Sequence, residues 1–242
     1  MPRFFVYDVE GSHAEIHGDD ARHIGRSLRM RIGDNLTLCR NGIDYECKIK
    51  SISDEVVTLD VVSEKPCSAE PTINLTLYQA IPKLDKFETI IQKSVELGVT
   101  RIVPVLTRRC VSRPSEKDFS KKLARYRKIA LEASKQSGRG IIPEIAPIMT
   151  LKEAVNELKD ADMGLVFYEN GGKRFSELDF EGKKNISVLI GSEGGFDEEE
   201  IELVKQSAGM ENVWLGNRIL RCETAPITAI SIIMFLTKIY DV

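Results

Sequence analysis

Residues 186–200, ISVLIGSEGGFDEEE, decide how the chain is read. Ile186, Val188, Leu189 and Ile190 form an apolar run of strand length without polar alternation, the pattern of a strand covered on both faces. Gly191, Gly194 and Gly195 then interrupt it. Asp197, with Glu200 three positions on, has the capping-box spacing of a helix start. A buried strand, a glycine turn and a capped helix make one α/β unit. Glycines at such a turn let backbone approach a ligand closely, and free N–H groups at the helix start bind polar groups. The spacing is not GxGxxG, and no GK[ST] follows, so a dinucleotide fingerprint and a P-loop are both excluded. An ordinary βα turn is an equal reading of this segment alone.

A second loop of the same kind lies close downstream. LGNRILRCETAP (215–226) follows the short apolar run NVWLG and precedes an apolar helix expected from Glu223 to Ile239. Two such loops meet at the carboxyl edge of a sheet, where α/β proteins bind ligands. Upstream, INLTLYQAI, RIVPVLT and MGLVFYE predict further strands. LDKFETIIQKSVELG, Ser115 to Gln136 and Asp197 to Ser207 predict helices. Strand and helix alternate, which predicts a mostly parallel sheet covered on both faces. This domain is expected over 73–242.

The first 68 residues have a different period. FFVYDV, NLTLCR, YECKIKSIS and VVTLDVVSE are short β-branched runs, and Asn41-Gly42 is a hairpin signal between two of them. One helix is expected, Asp19 to Met30. The expected architecture is a small β-barrel with one helix. Glu64 to Pro71, with two prolines, reads as the linker.

The 242 residues are 42% hydrophobic and 29% charged, as in soluble globular proteins, with a net charge of −3. Five scattered cysteines without a CxxC pair argue against zinc and redox motifs. His13 and His17 lack a third ligand, so a surface pair is favoured and no metal is expected. No apolar run is long enough to cross a bilayer, and MPRFFVYDVE lacks the build of a secretory leader. A cytoplasmic protein free of membranes is expected. Basic residues cluster twice, at Arg22, Arg26, Arg29 and Arg31 and along 117–139. Arg22, Arg26 and Arg29 fall on one face of the expected helix.

Five segments together resemble the RsmE family, SPOUT-class methyltransferases that modify N3 of a uridine in small-subunit ribosomal RNA. The family's GPEGG stands here as GSEGG (191–195), and its LGxRILRxETA as LGNRILRCETA (215–225). Its QKxxELG is QKSVELG (92–98), its EAxxQSGR is EASKQSGR (132–139), and its HxxxxLRxxxGD is HIGRSLRMRIGD (23–34). Ser192 departs from a usual proline and Cys222 from a common threonine. The resemblance implies a PUA-like N-terminal barrel, an α/β trefoil-knot domain binding S-adenosylmethionine, and a homodimer formed through the C-terminal domain. It implies cofactor contacts at Glu169, Ile190, Gly191, Glu193, Gly194, Gly195, Leu215, Gly216, Ile219, Leu220, Thr224 and Ala225. It moves the Arg22, Arg26, Arg29 and Arg31 cluster from a solvated face toward RNA. Uracil N3 carries a proton that must leave, so a base or a stabilising cation is required. Glu223 is the candidate base, with Arg221 or Arg139 as the cation; the alternative is that Glu223 caps the last helix and pairs with Arg221. Two rival functions are a SPOUT ribose 2′-O-methyltransferase and a non-catalytic RNA-binding protein of ribosome assembly. SLNVS-like loops mark the ribose enzymes, and RILRCETA stands there instead.

Overall fold

The computed structural model describes residues 1–237. The expected end of the last helix at Ile239 lies outside the described residues. The chain forms two compact units. The first takes residues 1–70 and, in addition, 134–142; the second takes the remainder. The N-terminal boundary thus falls two residues beyond the expected one, and Arg139 belongs with the first unit rather than the second.

The first unit is a five-stranded sheet. β1 (Arg3–Phe5), β2 (His13–His17), β3 (Asn35–Arg40), β4 (Ile43–Ile52) and β5 (Val56–Pro66) lie in the order β1-β3-β4-β5-β2. β1 and β3 are parallel, and the other pairs are antiparallel. Asn41 and Gly42 both take positive φ, 50° and 79°, as a two-residue turn between antiparallel strands requires. Phe4, Ile16, Ile24, Leu36, Leu38, Ile49 and Leu59 fill the core. Three expectations change here. β2 is a strand, with Ala14 and Ile16 inward and His13 and His17 outward. Each histidine sits beside a carboxylate, His13 by Asp60 and His17 by Glu15. Glu64–Pro66 is not linker but the end of β5, paired with 43–45. The helix from Asp19 to Met30 is only α1 (Gly18–Arg22), continued by a π-helical turn (His23–Ser27), and Arg29 then leaves the helical region at φ 53°.

Residues 134–142 close on the first unit through Glu70. The Glu70 carboxylate accepts from Arg139 Nη2 at 2.7 Å, and from the Gly140 and Ile141 N–H groups at 2.8 and 3.0 Å. Arg139 is 2% exposed. A Cβ on Gly140 would stand 2.6 Å from Cys67 Cβ, so only glycine fits there. A buried ion pair of this kind is costly to break by removing one partner.

The second unit is a seven-stranded, all-parallel sheet. Its strands are β6 (Asn74–Ala80), β7 (Arg101–Leu106), β8 (Glu144–Ile145), β9 (Met149–Thr150), β10 (Met163–Phe167), β11 (Asn185–Ile190) and β12 (Glu211–Val213). The order is β12-β10-β11-β6-β7-β8, with β9 also on β7. Its helices are α2 (Lys86–Glu96), α3 (Glu116–Ser137), α4 (Leu151–Leu158), α5 (Glu198–Ala208) and α6 (Thr224–Leu236). Alternation along the strands serves two separate cores, as expected of a sheet covered on both sides. Leu75, Leu77, Ile186 and Val188 face one core with Ile90, Ala130 and Ile233 from α2, α3 and α6. Tyr78, Val103, Val166 and Leu189 face the other with Val155 and Val204 from α4 and α5. α4 was not expected, although Thr150 and Glu153 form a complete capping box at its start.

Candidate cofactor and catalytic site

The glycine turn sits where expected, between β11 and α5. Asp197 caps α5 and forms the reciprocal box with Glu200. Gly195 has φ 64°, the left-handed region that glycine occupies without strain. Two side chains from elsewhere in the chain hold the carbonyls of the turn. Arg109 Nη1 donates to the Gly194 carbonyl at 3.1 Å, and buried Gln79 Nε2 donates to the Gly191 carbonyl at 3.1 Å. A Cβ on Gly194 would stand 2.9 Å from Arg109 Cβ, and one on Gly191 3.1 Å from Gly195 Cα. A side chain at Gly194 would force its neighbours to move, and one at Gly191 would press closely on Gly195. The second loop differs: Gly216 has φ 98°, and a Cβ there would meet nothing within 4 Å. Gly216 also lines the cavity described next.

Between the loops lies a cavity of about 510 Å³. Of the cofactor residues expected from sequence, Glu169, Ile190, Gly191, Glu193, Gly194, Gly195, Leu215, Gly216, Ile219, Leu220 and Ala225 line it. Thr224 does not; it is the exposed first residue of α6. Arg221 lines the cavity, whereas Arg139 is held by Glu70 in the first unit and is not among the lining residues. Lys86, Trp214 and Cys222 line it without having been expected, and Arg218, inside the expected loop, lines it as well. Trp214 and Cys222 lie inside or beside the quoted loop motif, so their placement was within reach of the sequence. No local pattern points to Lys86.

Two carboxylates and one ammonium at or beside the wall, Glu193, Glu223 and Lys86, are engaged with one another. Glu223 sits at the head of α6, yet its side chain makes no cap hydrogen bond. Thr224 and Ala225 donate to the Arg221 carbonyl instead. The Glu223 carboxylate lies 3.4 Å from Lys86 Nζ and accepts from the Cys222 thiol at 3.2 Å. It therefore neither caps the helix nor pairs with Arg221, whose side chain forms no ion pair among the described residues. Burial works to raise the Glu223 carboxyl. The Cys222 thiol, its own backbone N–H and the Lys86 ammonium outweigh burial and hold it below the usual carboxylate range. Burial, aided by the hydrogen bond to Glu223, pushes the Cys222 thiol up to about 12, so it remains a donor. Glu193 accepts from Lys86 Nζ at 3.0 Å and from the Lys83 N–H at 3.1 and 3.3 Å. Its carboxylate is thus engaged by the first residue of α2 and by the segment just before it.

In the first unit, two of the four expected RNA-binding arginines have acidic partners. Arg22 pairs with Asp19, and Arg26 makes a two-pronged pair with Asp54, one arm at 3.0 Å. Arg29 and Arg31 have no side-chain partner among the described residues. The π-helical turn and the left-handed Arg29 remove the single helical face expected for Arg22, Arg26 and Arg29.

A match to an RNA methyltransferase domain covers residues 68–234, and one to an RNA methyltransferase PUA domain covers 16–62. Together with a curled half-barrel sheet and a parallel sheet in this order, they define an RNA methyltransferase of the SPOUT class, with a PUA-like N-terminal unit and a trefoil-knot α/β unit. The chain is 34% identical to ribosomal RNA small subunit methyltransferase E of Bacillus subtilis, over 99% of this chain and 98% of that protein. It superposes on the crystal structure of the Neisseria gonorrhoeae methyltransferase E bound to S-adenosylmethionine with a TM-score of 0.88, at 32% identity over 98% of each chain. A methyltransferase from Legionella pneumophila in complex with the same cofactor gives 0.85, at 30% identity over 96% of each chain. The chain belongs to the ribosomal RNA small subunit methyltransferase E family. Among the described residues no helix is long and apolar enough to cross a membrane, and no group of three or more His, Cys, Asp or Glu is placed to hold a metal.

Proposed function

We propose that the protein transfers a methyl group from S-adenosylmethionine to N3 of a uridine in small-subunit 16S ribosomal RNA. The observation that carries this reading is an ionised carboxylate, Glu223, beside a cavity walled by two glycine loops in a chain of this family. The cavity fits the cofactor. Ile190, Leu215, Leu220 and Ala225 offer apolar surface for an adenosyl group, and the open side of Gly216 lets its backbone approach closely. Glu169 and the backbone of 191–195 supply polar partners.

Bound S-adenosylmethionine supplies a methyl on a positively charged sulfur, and the methyl–sulfur electron pair returns to sulfur as the N–CH3 bond forms. Glu223 accepts the N3 proton, and the N–H bonding pair stays on the ring to form the new N–CH3 bond. Arg221, exposed and without an ion-pair partner among the described residues, lies in the cavity wall to balance the negative charge that develops on the ring. Arg29 and Arg31 of the first unit hold RNA phosphates, with Arg22 and Arg26 beside them. The working form is a homodimer: α6 buries Ala229, Ile230 and Ile233 in its own unit but leaves Phe235 65% exposed, with Ile232 half-buried one turn away. The place of action is the cytoplasm, consistent with five free, buried cysteines.

The test is mass spectrometry of ribosomal RNA nucleosides from a strain lacking the gene. N3-methyluridine should vanish from small-subunit RNA and return with the gene. Loss of a ribose-methylated nucleoside instead points to the 2′-O reaction. An unchanged nucleoside profile, with no calorimetric binding of S-adenosylhomocysteine, points to a non-catalytic RNA-binding protein.

A further inference from the structure

Lys86 is the first residue of α2. Its ammonium lies 3.0 Å from Glu193 Oε1 in the glycine turn and 3.4 Å from Glu223 Oε2 at the head of α6. Cys222 Sγ is 3.9 Å away. One cation therefore ties α2 to both loops that wall the cavity. Glu193 is itself fixed by the Lys83 backbone N–H, which reaches both of its oxygens. The order of constraint runs from backbone to Glu193, from Glu193 to Lys86, and from Lys86 to Glu223. All three side chains are about a quarter exposed, 27%, 27% and 26%, so solvent screens them only partly. Without the ammonium, two carboxylates would share this corner with no intervening positive charge, an arrangement in which one of them takes up a proton.

We propose that Lys86 is a positioning residue for methyl transfer: by bridging Glu193 and Glu223 it holds the Glu223 carboxylate in its proton-accepting form and aims it at the cavity. The proposal rests on the reading of Glu223 as the proton acceptor. The groups that face Glu223 are the Lys86 ammonium from α2 and the Cys222 thiol beside it, with Glu193 across the ammonium. Arg218 and Arg221 line the cavity, whose lining includes the neighbouring Cys222 but not Glu223 itself. Cys222 stays protonated through the working range and adds no charge. When Glu223 becomes neutral on accepting the N3 proton, Lys86 and Glu193 remain as a matched pair. No charge is stranded at that stage.

The experiment measures kcat against pH on small-subunit particles for the wild type, Lys86→Met, Lys86→Arg, Glu223→Gln and the Lys86→Met, Glu223→Gln double variant. S-adenosylhomocysteine affinity by calorimetry checks that each variant keeps its site. Removing the cation raises the carboxyl pKa, so the acid limb of Lys86→Met moves to higher pH. A shift of about one pH unit gives an about tenfold loss on the acid side that closes as pH rises. KM for particles stays within about twofold, Lys86→Arg restores the limb, and Lys86→Met costs nothing further in the Glu223→Gln background. An unmoved limb, a loss of equal depth at every pH, or multiplying losses in the double variant overturns the proposal. Full turnover in Glu223→Gln removes the proton-acceptor reading and Lys86 with it. An inactive Glu223→Gln beside an unmoved Lys86→Met limb removes Lys86 alone. If Lys86→Met loses S-adenosylhomocysteine, Lys86→Gln, which keeps a donor without the charge, is judged by the same criteria.

Discussion

The cavity of the second unit and the arginine turn of the first are both built on backbone outside the ordinary helical region, yet they deploy charge in opposite ways. At the cavity, Glu193, Lys86 and Glu223 form one chain of contacts, and Arg109 is tied to the Gly194 carbonyl. At the turn, Arg29 is left at φ 53° and, with Arg31, has no side-chain partner among the described residues. Preorganised charge suits chemistry, because it needs no rearrangement at the moment of reaction. Uncommitted charge suits phosphate capture, where each new contact releases counterions. The difference also separates members of one cluster, since Arg22 and Arg26 already have acidic neighbours.

Four measurements break or sharpen this contrast. The largest effect is expected for Glu223→Gln, which should lower turnover by about 10²–10⁴-fold while leaving S-adenosylhomocysteine affinity intact. In the wild type this carboxyl is held below the usual range, so it is ionised at neutral pH. Turnover should fall only as pH drops through that depressed value, and rising pH should not protonate it. A rate unaffected by the substitution places the proton acceptor elsewhere. Gly194→Val comes next. Its side chain would press on Arg109 Cβ and backbone, so the expected outcome is a loss of stability of about 1–3 kcal/mol together with cofactor binding. A melt unchanged from wild type would show that the turn has room to spare. Third, the Arg29→Ala, Arg31→Ala double variant should flatten the salt dependence of RNA binding by roughly two in log–log slope, with cofactor affinity unchanged. An unchanged slope takes both arginines off the RNA. The smallest effect is expected for Arg26→Ala, whose charge Asp54 already offsets. If its slope change equals that of Arg29→Ala, the pairing with Asp54 does not persist in the complex.

Local signals were legible, and long-range ones were not. The 186–200 stretch carried strand, turn and capped helix in one window, and β11 and α5 follow it. Asn41-Gly42 carried its turn type in two residues. HAEIH, by contrast, offers only Ala14 and Ile16 as inward positions, too few to announce β2. The π-helical turn at 23–27 has no signature in a 3.6-residue period, which is why Arg22, Arg26 and Arg29 were expected on one face. Thr150 and Glu153 did carry a capping box ahead of LKEAVNEL, so α4 was readable from the same rule that served α5. Lys86 meets Glu193 and Glu223 more than a hundred positions away, and Arg139 meets Glu70 across 69. Pairings of that span are products of topology, and no window of sequence contains them.

The position of β11 has a consequence for how the protein is made. Asn185–Ile190 lies between β10 and β6, paired with both, although it is synthesised after either. Until it leaves the ribosome, β6 and β10 each present an open edge that only this segment can fill. The helices α5 and α6, which complete the cover over the face carrying Val166 and over that carrying Leu75 and Leu77, are made later still. Parallel pairings between distant segments are slow to form, and unpaired edges attract other chains. The nascent polypeptide is therefore most exposed to misassociation late in translation. The cavity forms later still, because Leu215–Ala225 must follow β11 into place before any substrate can be modified.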